Sequence, residues 1–127
     1  MNAPDANEHV VLKDFEKKVT VIKDTKIVDG AIFYFAKEDH TLGNALRMSL
    51  LRDKDVRFAG YRMPHPLQFV CEVKVQTTSS DVKPINVMIN ALEALDQEFA
   101  TLENRFKSAL GMGHRETLEP DIMQVRY

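Results

Sequence analysis

Cysteine is almost absent: the chain of 127 residues holds a single one, Cys71. One thiol cannot build an internal disulfide framework or a cysteine-rich zinc site, and it fits a reducing compartment, cytosol or nucleus. A surplus of positive charge is also missing. Lysine and arginine number 17 against 19 aspartate and glutamate, a formal net charge of −2. Gripping nucleic acid through its phosphates needs a surplus of cations, so no direct nucleic-acid contact is expected. There is no run of about 20 apolar residues, so no membrane span is expected. The opening stretch to Val10 is polar and acidic, with neither an apolar signal core nor an arginine-rich transit pattern. Glycine-rich phosphate loops are lacking: Gly43 stands alone, and Gly111-Met112-Gly113 has no Lys-Ser/Thr after it. His9, His40, His65 and His114 are far apart in the chain and lack metal-ligand spacing. Neither a metal nor a cofactor is expected.

What is present suits one soluble globular domain. Hydrophobic residues make up 44% and charged residues 28%, and the length allows one ordinary core. Residues 1–18 read as a charged arm with one anchoring patch, at Val10 to Leu12 and Phe15. Residues 19–110 read as the domain, and residues 111–127 as a polar tail. Val19-Thr20-Val21-Ile22 is β-branched and suits a strand. Asp29-Gly30 signals a turn, and Ala31-Ile32-Phe33-Tyr34-Phe35-Ala36 is a strand covered on both faces. Thr41 is the expected cap of a helix in which Leu42, Ala45, Leu46, Ser49 and Leu50 recur at helical spacing. Val56 to Tyr61 alternates as a strand, and Pro64-His65-Pro66 interrupts any ladder. In the next strand Phe69, Cys71, Val73 and Val75 share one face. Gln68, Glu72, Lys74 and Gln76 share a wet one, with Val70 the exception. The expected fold class is α+β: a two-layer, mostly antiparallel four-stranded sheet with two helices on one face, in the order β-β-α-β-β-α.

The last helix carries the main signal. Ser79-Ser80-Asp81 offers a cap and Pro84 fits a first turn. Ile85, Met88, Leu92, Leu95, Phe99, Leu102, Phe106 and Ala109 then follow at alternating spacings of three and four. That is an unbroken coiled-coil-like seam, which Gly111 and Gly113 are expected to stop. A helix of about 27 residues is roughly 40 Å long, whereas the other helix, of about 12 residues, is roughly 18 Å. A small sheet and a short helix can cover the seam from Ile85 to Leu95 but not from Phe99 to Ala109. Each such side chain contributes roughly 1.5–3 kcal/mol on burial. The uncovered part therefore reads as a helix–helix contact with another chain, with Glu98, Glu103, Arg105 and Lys107 flanking it to set partner choice.

Catalytic patterns are weak beside this. Cys71 sits in the apolar stripe of a strand and reads as a small buried hydrophobe, not a nucleophile. Ser79 and Ser80 lie where caps belong. Glu38-Asp39 suits a turn at a helix N-terminus. An acid/base enzyme would need Asp39, His40 and His65 to converge in one pocket. A homodimeric interaction module is a further alternative.

Two stretches resemble a known family. They are Lys37-Glu38-Asp39-His40-Thr41-Leu42-Gly43-Asn44-Ala45-Leu46-Arg47 and, downstream, Phe58-Ala59-Gly60-Tyr61-Arg62-Met63-Pro64-His65-Pro66-Leu67. The end of the fourth strand, Val75-Gln76-Thr77-Thr78, and the long helix agree. The pattern over roughly residues 10–110 is similar to the small alpha-like assembly subunits of nuclear RNA polymerases, to archaeal subunit L and to the N-terminal domain of bacterial alpha. The opening Met1-Asn2-Ala3-Pro4-Asp5 and the Phe-Ala-Gly-Tyr form of the second motif look most like the RNA polymerase II form. The form shared by polymerases I and III is the alternative. The resemblance implies a non-catalytic nuclear subunit that forms a heterodimer with a larger alpha-like subunit. That pair is a platform for the large subunits, the second largest among them. It also implies a dimer contact built from residues 41–51 and the long helix. The interface residues would be Thr41, Leu42, Gly43, Asn44, Leu46 and Leu50 on the first helix, and Leu92, Leu95, Phe99, Leu102 and Phe106 on the second. Thr41 would cap, Gly43 would admit a neighbouring backbone, and Asn44 would bond to nearby main chain. The Pro64-His65-Pro66 loop would either touch a large subunit or only shape its hairpin.

Overall fold

Four β-branched and aromatic stretches pair into one antiparallel sheet in the computed structural model, which describes residues 3–125 and side chains as far as Gly111. The strands are β1 (Val19–Lys23), β2 (Gly30–Ala36), β3 (Val56–Arg62) and β4 (Val70–Thr77), in spatial order β1-β2-β4-β3. Helix α1 (His40–Leu51) connects β2 to β3, and α2 (Pro84–Val125) follows β4. The expected strands and their order are therefore present. The chain falls into two compact units, residues 1–92 and 93–127, with the sheet and α1 in the first.

The sheet's period-two pattern selects the core. Phe33, Phe35, Cys71, Val73, Val75 and Ala59 project to one side and are buried there, with Leu46 and Leu50 of α1 closing over them. From the first unit's share of α2, Val87, Met88 and Ala91 join this core, and the Ser49 hydroxyl donates to the Ala91 carbonyl at 3.2 Å. The opposite side is drier than the alternation predicts. Glu72, expected on a wet face, is buried because Arg62 bridges it through two nitrogens, at 3.1 and 3.2 Å. A buried carboxylate needs such a partner, and paired guanidinium contacts supply it.

Turn chemistry explains most of the joints. Asp29, and not Gly30, takes the left-handed conformation (φ 62°) between β1 and β2. Its carbonyl accepts from the Thr77 amide and its carboxylate from Ser80. Aspartate tolerates this region better than most residues. Ser79 and Ser80 are thus tied to the Thr77–Asp29 corner and do not cap α2 as expected. At α1 the cap is Asp39, two residues before Thr41, with its carboxylate accepting from the Thr41 amide at 2.9 Å. Asp39→Ala should therefore destabilise the chain by about 1 kcal/mol, read as a shift in urea midpoint, while Asp39→Asn should stay close to wild type.

Two expectations about the ends are corrected. Gly111 and Gly113 do not stop α2, which runs on to Val125 over 42 residues. A helical glycine costs about 1 kcal/mol relative to alanine but forbids nothing unless it adopts positive φ, and no described glycine does. Residues 111–125 are thus helix where a tail was expected. Of the patch expected to anchor the N-terminal arm, Leu12 is half-buried while Val10 and Val11 are exposed. Phe15 is fully exposed, while Lys18 pairs with Glu38 at 2.6 Å, Glu16 with Lys37 at 3.9 Å, and His9 lies against the Phe69 ring.

Candidate functional site: an uncovered apolar helix surface

The two faces of α1 have different fates. Residues at i, i+3 and i+7 from Gly43 turn inward: Gly43, Leu46 and Leu50 are buried, the two leucines completely. Gly43 is there for contact. A Cβ on it would come within 2.5 Å of the Tyr61 ring and 2.7 Å of the Cys71 sulfur. The close neighbour is thus the chain's own sheet and not a partner backbone, which corrects the role expected of Gly43, Leu46 and Leu50. Leu46 and Leu50 hold α1 on the sheet, the bare backbone at Gly43 allows the close approach, and none of the three has surface to offer. Leu42 is half-buried.

The opposite stripe, Thr41, Asn44, Met48 and Leu51 at spacings of three, four and three, is exposed. Met48 and Leu51 are large apolar residues on this stripe; the expected interface took in Thr41 and Asn44 from it but missed these two. The signal was present: they continue the Thr41–Asn44 line along the helix. Asn44 bonds to the Arg47 guanidinium at 2.8 Å, not to main chain as expected. His40 meets the Tyr61 hydroxyl at 3.1 Å, edge-on to its ring, which seats the first turn of α1 on β3.

Helix α2 splits the same way. In the first unit its inward residues are Val87, Met88 and Ala91, whereas Ile85, Ile89 and Leu92 are exposed. The covered line is thus rotated from the expected seam, which shares only Met88 with it. Own-chain packing covers less of the seam than its first half. In the second unit Leu95 is half-buried, and Phe99, Leu102 and Phe106 are 62–64% exposed. Glu103 and Lys107 form an ion pair one turn apart beside them. Burying three such side chains contributes several kcal/mol, so a surface like this marks a protein contact.

The residues of an acid/base site are engaged separately. Asp39 caps α1, His40 bonds to Tyr61, and the His65 ring accepts from the Leu67 amide inside its own loop. That last contact shapes the β3–β4 hairpin around Pro64-His65-Pro66. Among the described residues no group of three His, Cys, Asp or Glu side chains is placed to hold a metal ion, and no helix is long and apolar enough to cross a membrane. Cys71 is completely buried, and its thiol is pushed up to about 11 by that burial, with the Asp39, Glu38 and Glu72 carboxylates adding to the effect. Raised above its ordinary value, the thiol favours the folded state below about pH 9, and this contribution fades as the pH climbs towards 11. A thiol reagent at pH 8 should therefore label Cys71 only after denaturant is added; rapid labelling of the native chain would contradict this burial.

A four-stranded antiparallel sheet with one helix seated on it and a long helix left apolar along one line is the architecture of a dimerisation module. Comparison with known proteins agrees. Residues 30–105 match the model of the RNA polymerase Rpb3/Rpb11 dimerisation domain. The chain is 48% identical to DNA-directed RNA polymerase II subunit rpb11 of Dictyostelium discoideum, over 84% of this chain and 88% of that protein. It is 46% identical to the probable RPB11 subunit of Caenorhabditis briggsae (87% and 88%) and 41% identical to RPB11 of Schizosaccharomyces pombe (75% and 76%). Among solved structures, the crystal structure of RNA polymerase subunit L from Thermoplasma acidophilum has the same fold. Its TM-score is 0.62 at 20% identity, over 79% of this chain and 97% of that one. The chain belongs to the Rpb3/Rpb11 dimerisation-domain family of RNA polymerase subunits.

Proposed function

We propose that this chain is a non-catalytic assembly subunit of RNA polymerase II. It acts in the nucleus as one half of a heterodimer whose other half is the larger alpha-like subunit, and the pair serves as the platform for the large subunits, the second largest among them. The observation that carries this reading is the line of Phe99, Leu102 and Phe106, which lie open to solvent on a helix with nothing from their own unit over them. Support comes from relatives that bear the name of RNA polymerase II subunit Rpb11 and match over most of their length. The stripe of Thr41, Asn44, Met48 and Leu51 on α1 supplies a second, smaller surface, with polar groups at one end and apolar ones at the other.

Co-expression tests the proposal. The chain and the third-largest polymerase II subunit should co-purify as a one-to-one complex, and the chain alone should self-associate through its apolar helix at micromolar concentration. A chain that remains monomeric and ignores that subunit in a pull-down would overturn the assignment.

A further inference from the structure

A second open surface lies at the edge of the sheet. Of the two edge strands, β3 breaks its ladder with a register shift between Val56 and Phe58, while β1 pairs with β2 in unbroken register from Val19 to Lys23. The Ala36 amide bonds to the Lys18 carbonyl, and the Asp24 amide to that of Gly30. These bonds fix the parity of the ladder: even-numbered residues of β1 point their backbone groups at β2. Val19, Val21 and Lys23 therefore turn N–H and C=O outward along the free edge. The same register puts the Val19 and Val21 side chains beside Phe35 and Phe33, on the core side of the sheet, yet both are exposed because the row ends there. Bulges, proline and inward charges commonly blunt such an edge. Within β1 there is neither bulge nor proline, and the one charge, Lys23, stands opposite Ala31 on the same side as Val19 and Val21.

Charge selects the occupant. Lys17, Lys18, Lys23 and Lys26 are exposed along this edge. The nearby carboxylates are engaged: Glu38 holds Lys18, Glu16 faces Lys37, and Asp24 is held below the usual carboxylate range, first by its bond to Lys74 at 2.7 Å and then by the Lys26 and Ile27 amides. Among the described residues no carboxylate pairs with Lys17, Lys23 or Lys26. A second copy of β1 would crowd a second set of exposed lysines onto the same edge, which disfavours edge-to-edge pairing with itself. We propose that the free edge of β1 takes up an extended acidic segment of another polypeptide by strand addition. Apolar side chains of that segment extend the row of Val19 and Val21, and its carboxylates face Lys17, Lys23 and Lys26.

The probe is a capped, fluorescein-labelled peptide, Glu-Thr-Val-Thr-Val-Thr-Glu, whose valines fall beside Val19 and Val21 and whose terminal glutamates fall beside Lys17 and Lys23 on the same face, set against its counterpart with lysine in place of glutamate, with fluorescence anisotropy read on the full chain. The acidic peptide should bind at least about tenfold more tightly, and salt should weaken it. Hydrogen exchange should slow at the Val19, Val21 and Lys23 amides. Val21→Pro removes an outward N–H without touching the β1–β2 ladder and should abolish binding at an unchanged melting temperature. Should that variant unfold, the triple change Lys17→Glu, Lys23→Glu and Lys26→Glu decides, since it should invert the peptide preference with the backbone intact. Equal affinity for the two peptides, protection elsewhere in the sheet, or undiminished binding by the folded Val21→Pro chain would overturn the proposal.

Discussion

Replacing Phe99 and Leu102 together by aspartate should abolish the complex with the alpha-like subunit while leaving the sheet folded. Both side chains are more than half exposed in the chain itself, so the change removes little of its own core. Exposed substitutions away from caps and cores usually move stability by no more than about 0.5 kcal/mol each. In a helix–helix contact the same residues would be buried. Losing two apolar anchors costs about 4 kcal/mol or more, and two carboxylates would have to leave water besides, so affinity should fall by roughly a thousandfold. Size-exclusion chromatography of the co-expressed pair gives the direct measurement, and the melting temperature of the variant chain gives the control. Asn104→Asp, an exposed change on another side of the same helical turn, should leave the complex intact. If the double variant still co-purified one-to-one, the contact would have to lie elsewhere, with the Met48–Leu51 stripe of α1 the next surface to test.

The contrast between the two helices shows what a sequence pattern can and cannot say. Strand alternation located Cys71, Val73 and Val75 on the core face correctly, because a period of two leaves a side chain only two directions. The long seam was likewise legible as apolar residues at spacings of three and four. Whether such a line faces inward or outward is a different matter. On α1 the residues at helical spacing, Leu46 and Leu50, are the inward set, and they were mistaken for interface because a resemblance names a helix and not its face. On α2 the line that packs inward is Val87, Met88 and Ala91. A small alanine and a valine make a weak hydropathy signal but allow a close approach to α1 at Ser49. Apolar type alone does not separate a core stripe from a docking stripe, since both are built from the same residues. Polar satisfaction was legible only in part. Asp39 could have been read as the cap from its place before the periodic run, but the burial of Glu72 depends on Arg62, which only the register of the β3–β4 hairpin sets opposite it.

Gly43→Ala should destabilise the fold, against the ordinary expectation for a helix. At an open helical position alanine is favoured over glycine by about 1 kcal/mol. At this position the new methyl would lie 2.5 Å and 2.9 Å from two atoms of the Tyr61 ring and 2.7 Å from the Cys71 sulfur. None of these can yield cheaply. The Tyr61 ring atoms are the rigid inner ones and its hydroxyl is tied to His40, while Cys71 is fully buried in the central strand β4. Overpacking of this kind costs roughly 1–3 kcal/mol, and the first turn of α1 must lift from the sheet to relieve it. Because Thr41 and Asn44 ride on that turn, the displacement reaches the exposed stripe, and partner affinity should fall along with stability. A double-mutant cycle separates the causes. Introduced into a Tyr61→Ala background, where most of the obstruction is gone, Gly43→Ala should lose much of its penalty, giving a coupling of about 1 kcal/mol or more between the two sites. A Gly43→Ala chain with an unchanged or raised urea midpoint would mean that the glycine is kept for something other than the fit of α1 against Tyr61 and Cys71.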